Sequence, residues 1–366
     1  MRIGAIDLVI LVVYLLATIA IGLKLAGKQR SAADYMVGNR DLPWWALMLS
    51  IVATETSTVT FLSVPGLTYA PAGDFTFLQL PLGYCIGRLL ICVLLLPQFF
   101  TGNYVTAYEV LHKRFGGLTQ RVASLIFIVT RSLADGFRLF LGAIVLQTVS
   151  GLDLNLSILV LGGVTLGFTF LGGIRAGVWT DVIQFVVYIL GATVALYVLV
   201  SKLQGGMSDL FDVPAAKLRV FDSTFDLTKP YTLSAGLLAG TVVAIGTHGV
   251  DQLMVQRYLC ARSQRDARLA LGTSGFVVLV QFAFFLLIGL GLYAFYRPMG
   301  DALDPGQRAA FAGFIVDHMP PGVLGIVLGA VFSAALSTLS SSINSLATAA
   351  THDIWSPLFA RDASDA

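Results

Sequence analysis

Charge is what this chain most lacks. Only 12% of its 366 residues are Asp, Glu, Lys or Arg, against about 25% in soluble domains, while 56% are hydrophobic and the mean hydropathy is +0.82. That balance excludes water as the main solvent. There is no basic run and no interleaving of aromatic with basic residues, so nucleic acid is not an expected partner. Cysteine is nearly absent too. Cys85 and Cys92 fall in one apolar stretch and Cys260 in a basic loop, so neither a disulfide framework nor a cysteine metal site is expected. The four histidines, His112, His248, His318 and His352, are scattered without ligand spacing. No nucleophile–base pair stands out, so no enzyme and no cofactor is expected. The 37 glycines suit close helix approach inside a bilayer.

A bilayer core of about 30 Å takes about 20 apolar residues per helix. Segments of that kind lie at about 5–25, 44–70, 76–100, 121–149, 156–173, 177–201, 232–256, 270–296 and 321–350. The chain therefore reads as an all-α polytopic membrane protein of about nine spans. The first is not a signal peptide on this reading, because its strongest charges, Lys24, Lys28, Arg30 and Arg40, follow the apolar run. Alternate loops hold those four, then Lys113, Arg114 and Arg121, then Arg175, then Arg257, Arg262, Arg265 and Arg268, and finally Arg361: 13 of the 23 Lys and Arg. In the long 202–231 loop, Lys202, Lys217, Arg219 and Lys229 are balanced by Asp209, Asp212, Asp222 and Asp226. The positive-inside rule then predicts an N-terminus outside and a C-terminus in the cytoplasm, in the plasma membrane.

Polar chemistry is buried in a few of these spans. The second reads Ala53-Thr54-Glu55-Thr56-Ser57-Thr58-Val59-Thr60 and then Pro65-Gly66. Hydroxyls and a carboxylate at mid-depth, followed by a helix breaker, mark a discontinuous helix whose freed carbonyls line a cavity or hold an ion. The competing reading is hydroxyls bonded back to their own helix with Glu55 near an interface; against it, a centred glutamate costs roughly 3 kcal/mol. In the ninth span Ala334, Ser337, Thr338 and Ser341 share one face at 100° per residue, either for close packing or as part of an oxygen cage suited to a hard cation. Asp181 opens the sixth span, either as a helix-dipole carboxylate or on an ion path. Arg131, Asp135 and Arg138 share a face of the fourth span, as a structural charge network or as a site for a substrate carboxylate. Asp251 and Gln252 end the seventh span, at the cytoplasmic interface or at a site.

Taken in order, these motifs resemble the sodium/solute symporter family, which includes sodium–proline, sodium–glucose and sodium–sialic acid cotransporters. The resemblance runs from about residue 5 to 355. It is carried by Asp34-Tyr35 with Gly38-Asn39-Arg40, Ala53 through Pro65-Gly66, Leu171-Gly172-Gly173 before Trp179-Thr180-Asp181, Gln256-Arg257, and Ala334-x-x-Ser337-Thr338. It implies a LeuT-type fold: an accessory first helix and loop (1–43), a first five-helix repeat (44–201), a loop (202–231), a second inverted repeat (232–352) and a short tail (353–366). It also implies a sodium site from main-chain oxygens of Ala53, Thr56 and Ala334 and the hydroxyls of Ser337 and Thr338. A second sodium would use Asp181, Ser337, Ser340 and Ser341. Substrate positions carried over are Glu55, Thr60, Gln79 and Asp251. In one branch of the family an arginine of the fourth span binds carboxylate, and here Arg131 or Arg138 would have that role.

The expected activity is sodium-coupled symport of a small polar organic solute by alternating access, with sodium, solute and lipid as partners. One departure stands out. Only three spans of the second repeat follow before a polar tail, so the sequence reads as truncated after the ninth helix. A shortened, non-transporting fragment, a solute-sensing subunit, or a chain completed by a partner that supplies the missing helices is the alternative expectation.

Overall fold

The computed structural model describes residues 4–26, 31–102, 104–299 and 310–360. Lys28, Arg30 and the 361–366 tail, which entered the charge argument, lie outside the described residues. All nine expected spans fall on helices. We label them α1 (Ala5–Ala26), α2 (Trp44–Glu55), α3 (Thr58–Tyr69), α4 (Gln79–Leu94), α5 (Gly117–Ser150), α6 (Leu154–Ser201), α7 (Leu233–Ala244), α8 (Gln252–Leu259), α9 (Gln264–Tyr296), α10 (Ala310–His318) and α11 (Val323–Ala349). Among the described residues no strand is formed; one isolated bridge joins Leu42 to Ala261.

Two spans are broken. The α2–α3 pair bends by 70°, as its sequence predicts, and α7 and α8 bend by 63°. The second break is a correction, since residues 232–256 read as one continuous span. Its chain widens into π-type turns over Ile245–Gly249, and Asp251 then restarts the helix by accepting the Leu253 N–H at 2.8 Å. A second correction concerns spans five and six. They form one run, α6, in which a kink at the single residue Gly173 (φ 57°) makes the turn in place of a loop. Asp181 consequently sits well inside the helix, too far from the turn to act as an N-terminal dipole carboxylate.

The helices sort into two groups. One is α2–α3, α4, α7–α8 and α9, where α7 packs along α4 and α9 lies against α2, α3 and α4. The other is α5, α6 and α11 with α1 laid against α6 and α11. Small residues permit the closest approaches: Gly83 of α4 meets the Gly236 and Gly240 backbone of α7. Outward faces are apolar. Leu118, Val122, Leu125, Val129 and Leu133 of α5 are exposed at helical spacing, as lipid contact requires. Asp7, buried at 1% exposure in α1, accepts from the backbone N–H groups of Gly322 (2.7 Å) and Gly325 (2.8 Å), where a carboxylate complements the start of α11.

Lys217 holds the 202–231 loop onto the end of α3. Its ammonium, 3% exposed, donates to the carbonyls of Thr68, Ala70 and Gly73 at 2.7–3.2 Å and stands 3.9 Å over the Tyr293 ring. Burial, opposed by Asp74, pulls this amine down to about 8.

Two predictions follow from the packing. A Cβ on Gly289 would stand 1.9 Å from the Pro65 carbonyl oxygen of α3, whereas one on Gly272 meets nothing within 4 Å. Gly289→Val is expected to destabilise by about 1–3 kcal/mol and Gly272→Ala to leave stability unchanged or raise it slightly, read as Tm in detergent. For Lys217, the unfolded chain keeps up to about pH 10.5 a proton that the folded chain gives up near pH 8. Stability contributed by this group therefore rises with pH between those values. The rise should be present in the wild type and missing from Lys217→Met when Tm is followed across that window.

Candidate functional site

The break between α2 and α3 is built from its own hydroxyls. The Thr56 N–H and Oγ1 both return to the Val52 carbonyl, at 3.0 and 2.9 Å, and close α2. Ser57 starts α3 by accepting from the Thr60 N–H at 3.4 Å. Carbonyls between those caps lose their helical partners. The Thr54 carbonyl is taken by Thr338 Oγ1 of α11 at 3.0 Å, which ties the break to the ninth span. From the other side, Gln281 Nε2 of α9 donates to Thr56 Oγ1 at 2.7 Å, and Tyr188 of α6 donates to Gln281 Oε1 at 2.8 Å. Ala53 and Ala334 are fully buried at the same junction.

Next to it lies Asp181, with no exposure and many donors. Ser337 Oγ donates to Oδ1 at 2.6 Å; Ser50 Oγ, Thr54 Oγ1 and Ser341 Oγ stand at 2.5, 3.3 and 3.2 Å from Oδ2. The Arg257 guanidinium, also fully buried, pairs with Oδ2 at 3.1 Å and donates to Ser50 (2.9 Å), Thr54 (2.6 Å), Ser341 and the Leu253 carbonyl (2.5 Å). Four helices, α2, α6, α8 and α11, thus meet on one ion pair. Ser340 of the expected second sodium set is buried but bonds back to its own helix at Ser337 (3.2 Å). The guanidinium engages Oδ2 of Asp181, while Oδ1 accepts from Ser337, itself one of that set.

A cavity of about 190 Å³ opens between the two broken spans. Glu55 and His248 line one part of it, Arg131, Arg138 and Asp251 another. Glu55 pairs with Arg88 of α4, which also donates to Ser274 at 2.6 Å. Arg131 bonds Asp135 (3.1 Å) and Ser342 (2.7 Å) and stands 3.6 Å from Asp251, while Arg138 bonds Asp135 at 2.9 Å and remains one-third exposed. A larger apolar cavity of about 490 Å³ adjoins it and shares Asp251.

The structure brings together most of the residues singled out in the sequence. Ala53, Thr56, Ala334, Ser337 and Thr338 converge at the break, and Glu55, Asp251, Arg131 and Arg138 line the small cavity. Asp251 caps α8 directly after the second break. Gln79 is elsewhere: its amide holds the 202–231 loop, through the Tyr231 carbonyl and the Asp222 N–H. Thr60 is engaged with Ser57 at the cap of α3. Sequence reasoning missed the long-range partners. By sequence Arg257 reads as one of the basic residues of a loop, and Arg88 has no assigned role. Asp353, by sequence the first residue of the tail, is fully buried and accepts from Thr106, Gln120 and Ser124 at 2.7 Å.

The family model for the sodium:solute symporter family matches residues 35–366. A sodium/sialic acid symporter of Proteus mirabilis is 30% identical over 97% of this chain and 72% of its own length. The human sodium/iodide cotransporter is 31% identical over 97% of this chain and 56% of its own, and the bovine sodium-coupled monocarboxylate transporter 2 is 30% identical over 97% and 59%. The chain thus spans between about half and three quarters of the length of these relatives. A solved structure of a substrate-bound, outward-open, Na+-coupled sialic acid symporter superimposes with a TM-score of 0.89 at 28% identity, covering 99% of this chain and 77% of the other.

Removing one partner of a fully buried pair leaves an uncompensated charge and costs about 3–5 kcal/mol. Arg257→Gln and Asp181→Asn are each expected to lower Tm strongly. The double variant should lose markedly less than the sum of the two, and a double-mutant cycle on thermal unfolding measures that coupling.

Proposed function

The chain belongs to the sodium:solute symporter family, and from that premise we propose that it carries a small organic anion across the plasma membrane together with sodium, by alternating access in a LeuT-type fold. The observation that supports this reading most is the junction of the broken second span with α11, where Thr338 holds the Thr54 carbonyl and Ser337 stands beside it. In this proposal sodium is bound by the main-chain oxygens of Ala53, Thr56 and Ala334 and the hydroxyls of Ser337 and Thr338. A hard cation suits such oxygens. Replacing Thr338's bond to Thr54 by ion contacts would join the two helix groups directly, which is how sodium would favour one orientation of the groups over the other. The solute would lie in the small cavity between the breaks, its carboxylate facing Arg138, the most accessible of the cavity's guanidiniums. One sodium carried with one monoanion moves no net charge, so the sodium concentration gradient drives accumulation, and a potential of 100 mV, worth roughly 2.3 kcal/mol per elementary charge, acts only on a further sodium.

On this reading the N-terminus is outside and the C-terminus cytoplasmic. Residues 44–201 act as the first repeat and 232–352 contribute to its inverted counterpart, with 1–43 accessory, 202–231 the connecting outer loop and 353–366 a cytoplasmic tail. No bond of the solute is made or broken.

Trp45 of α2 and Trp179 of α6 meet edge to face at 5.5 Å, close to the proposed ion path, and give an intrinsic reporter. A saturable fluorescence change with sodium, absent with potassium and lost in Ser337→Ala/Thr338→Ala, is expected from the purified, folded chain. A wild-type chain that ignores sodium, or a double variant that responds normally, would contradict the assignment.

A further inference from the structure

No residue of α1 lines either of the cavities described above. Its contacts are instead with α6 and α11, the helices that carry Asp181 and the Ala334–Ser337–Thr338 face. Asp7 fixes the start of α11 through the Gly322 and Gly325 N–H groups. About two turns further along α1, the Tyr14 hydroxyl bonds Ser333 Oγ, which has no exposure. Ser333 gives its one proton to the Gly329 carbonyl at 2.7 Å, so Tyr14 is the donor to Ser333.

That chain of bonds ends one residue before Ala334. A serine that bonds back to the carbonyl four residues earlier tends to bend its helix, and here the bend falls at the turn that presents the Ala334 carbonyl. Thr338 Oγ1 approaches this carbonyl only at 3.4 Å and bonds the Thr54 carbonyl at 3.0 Å. Tyr14 holds the Ser333 hydroxyl in its back-bonded position from outside the helix. α1 meets α6 in a matching way. Thr180, the residue before Asp181, bonds back to the Ala176 and Gly177 carbonyls at 3.0 and 2.9 Å. Its methyl group packs on Gly22, where an added Cβ would stand 2.2 Å away. Each helix is therefore braced one residue ahead of a proposed ion-site group, and at Ser333 the brace is a directed hydrogen bond.

We infer that Tyr14 is a positioning residue for the sodium site: through Ser333 it fixes the turn of α11 that presents the Ala334 carbonyl, and so sets sodium affinity without touching the ion. This rests on the symport reading above, in which Ala334 is a ligand. α1 is then a working part of the ion site as well as an accessory helix. Within a bilayer no water replaces a lost tyrosine hydroxyl, so its removal leaves the Ser333 hydroxyl free to turn.

Equilibrium binding of radioactive sodium to the full chain in lipid nanodiscs, with Tm measured on the same preparations, tests this. Tyr14→Phe is expected to weaken sodium binding by about three- to tenfold, and Ser333→Ala by a similar factor. Tyr14→Phe/Ser333→Ala should bind no more weakly than Ser333→Ala alone, because the two side chains act as one relay. Leu11, in an apolar cluster with Leu161, Phe332 and Leu336, supplies the control. Leu11→Ala should lower Tm and leave sodium affinity unchanged. Wild-type affinity in Tyr14→Phe, or losses that multiply in the double variant, would overturn the inference. An equal loss of affinity in Leu11→Ala would do the same, since α1 would then be a general anchor. A wild-type chain that binds no sodium would overturn the symport reading together with it.

Discussion

The contact on which the rest depends is the buried pair of Asp181 and Arg257. Neither side chain has any exposure, and between them they engage Ser50, Thr54, Ser337 and Ser341. An unpaired charge at that depth would cost several kcal/mol, so the four helices that supply the partners are held in one register. The register matters because Thr54 is also the residue whose carbonyl receives Thr338, and Thr56, two residues on, is anchored by Gln281. Position of the break, exposure of its carbonyls and closeness of α11 are therefore set together. A site built this way does not need a dedicated metal cage. It needs only backbone oxygens released by the break and hydroxyls from a facing helix.

The two broken spans divide the remaining work. The first brings Glu55 to mid-depth, where Arg88 satisfies it; the second brings His248 and Asp251. Their meeting leaves a small polar cavity whose formal charges cancel. Discontinuous backbone is tolerated in a bilayer only where protein or a cavity meets its polar groups, and here both conditions hold at each break. Elsewhere, backbone-to-backbone approaches at Gly83, Gly289 and Gly325 admit no side chain.

Much of this was legible in sequence. Apolar run lengths located the spans, and the hydroxyl-rich stretch with Glu55 and Pro65 announced the first break. The Ala334–Ser337–Thr338 face announced its partner. The second break was not, because His248-Gly249-Val250-Asp251 carries no proline and only one strong cap, and a π-type widening has no local signature. Long-range pairing was the other blind spot. Arg257 lies in a loop-like basic stretch by sequence, and only the fold brings it across to Asp181. Gln79, a solute position by family resemblance, shows another long-range partnership that sequence does not announce, since its amide bonds Tyr231 and Asp222 of the 202–231 loop.

Equilibrium binding of radioactive sodium to the purified chain tests the central claim most directly. The account predicts saturable binding of about one ion per chain, competed by unlabelled sodium but not by potassium, and abolished when Ser337 and Thr338 are both alanine. Absence of saturable binding to folded wild-type protein, or retention of full binding in that double variant, would contradict it.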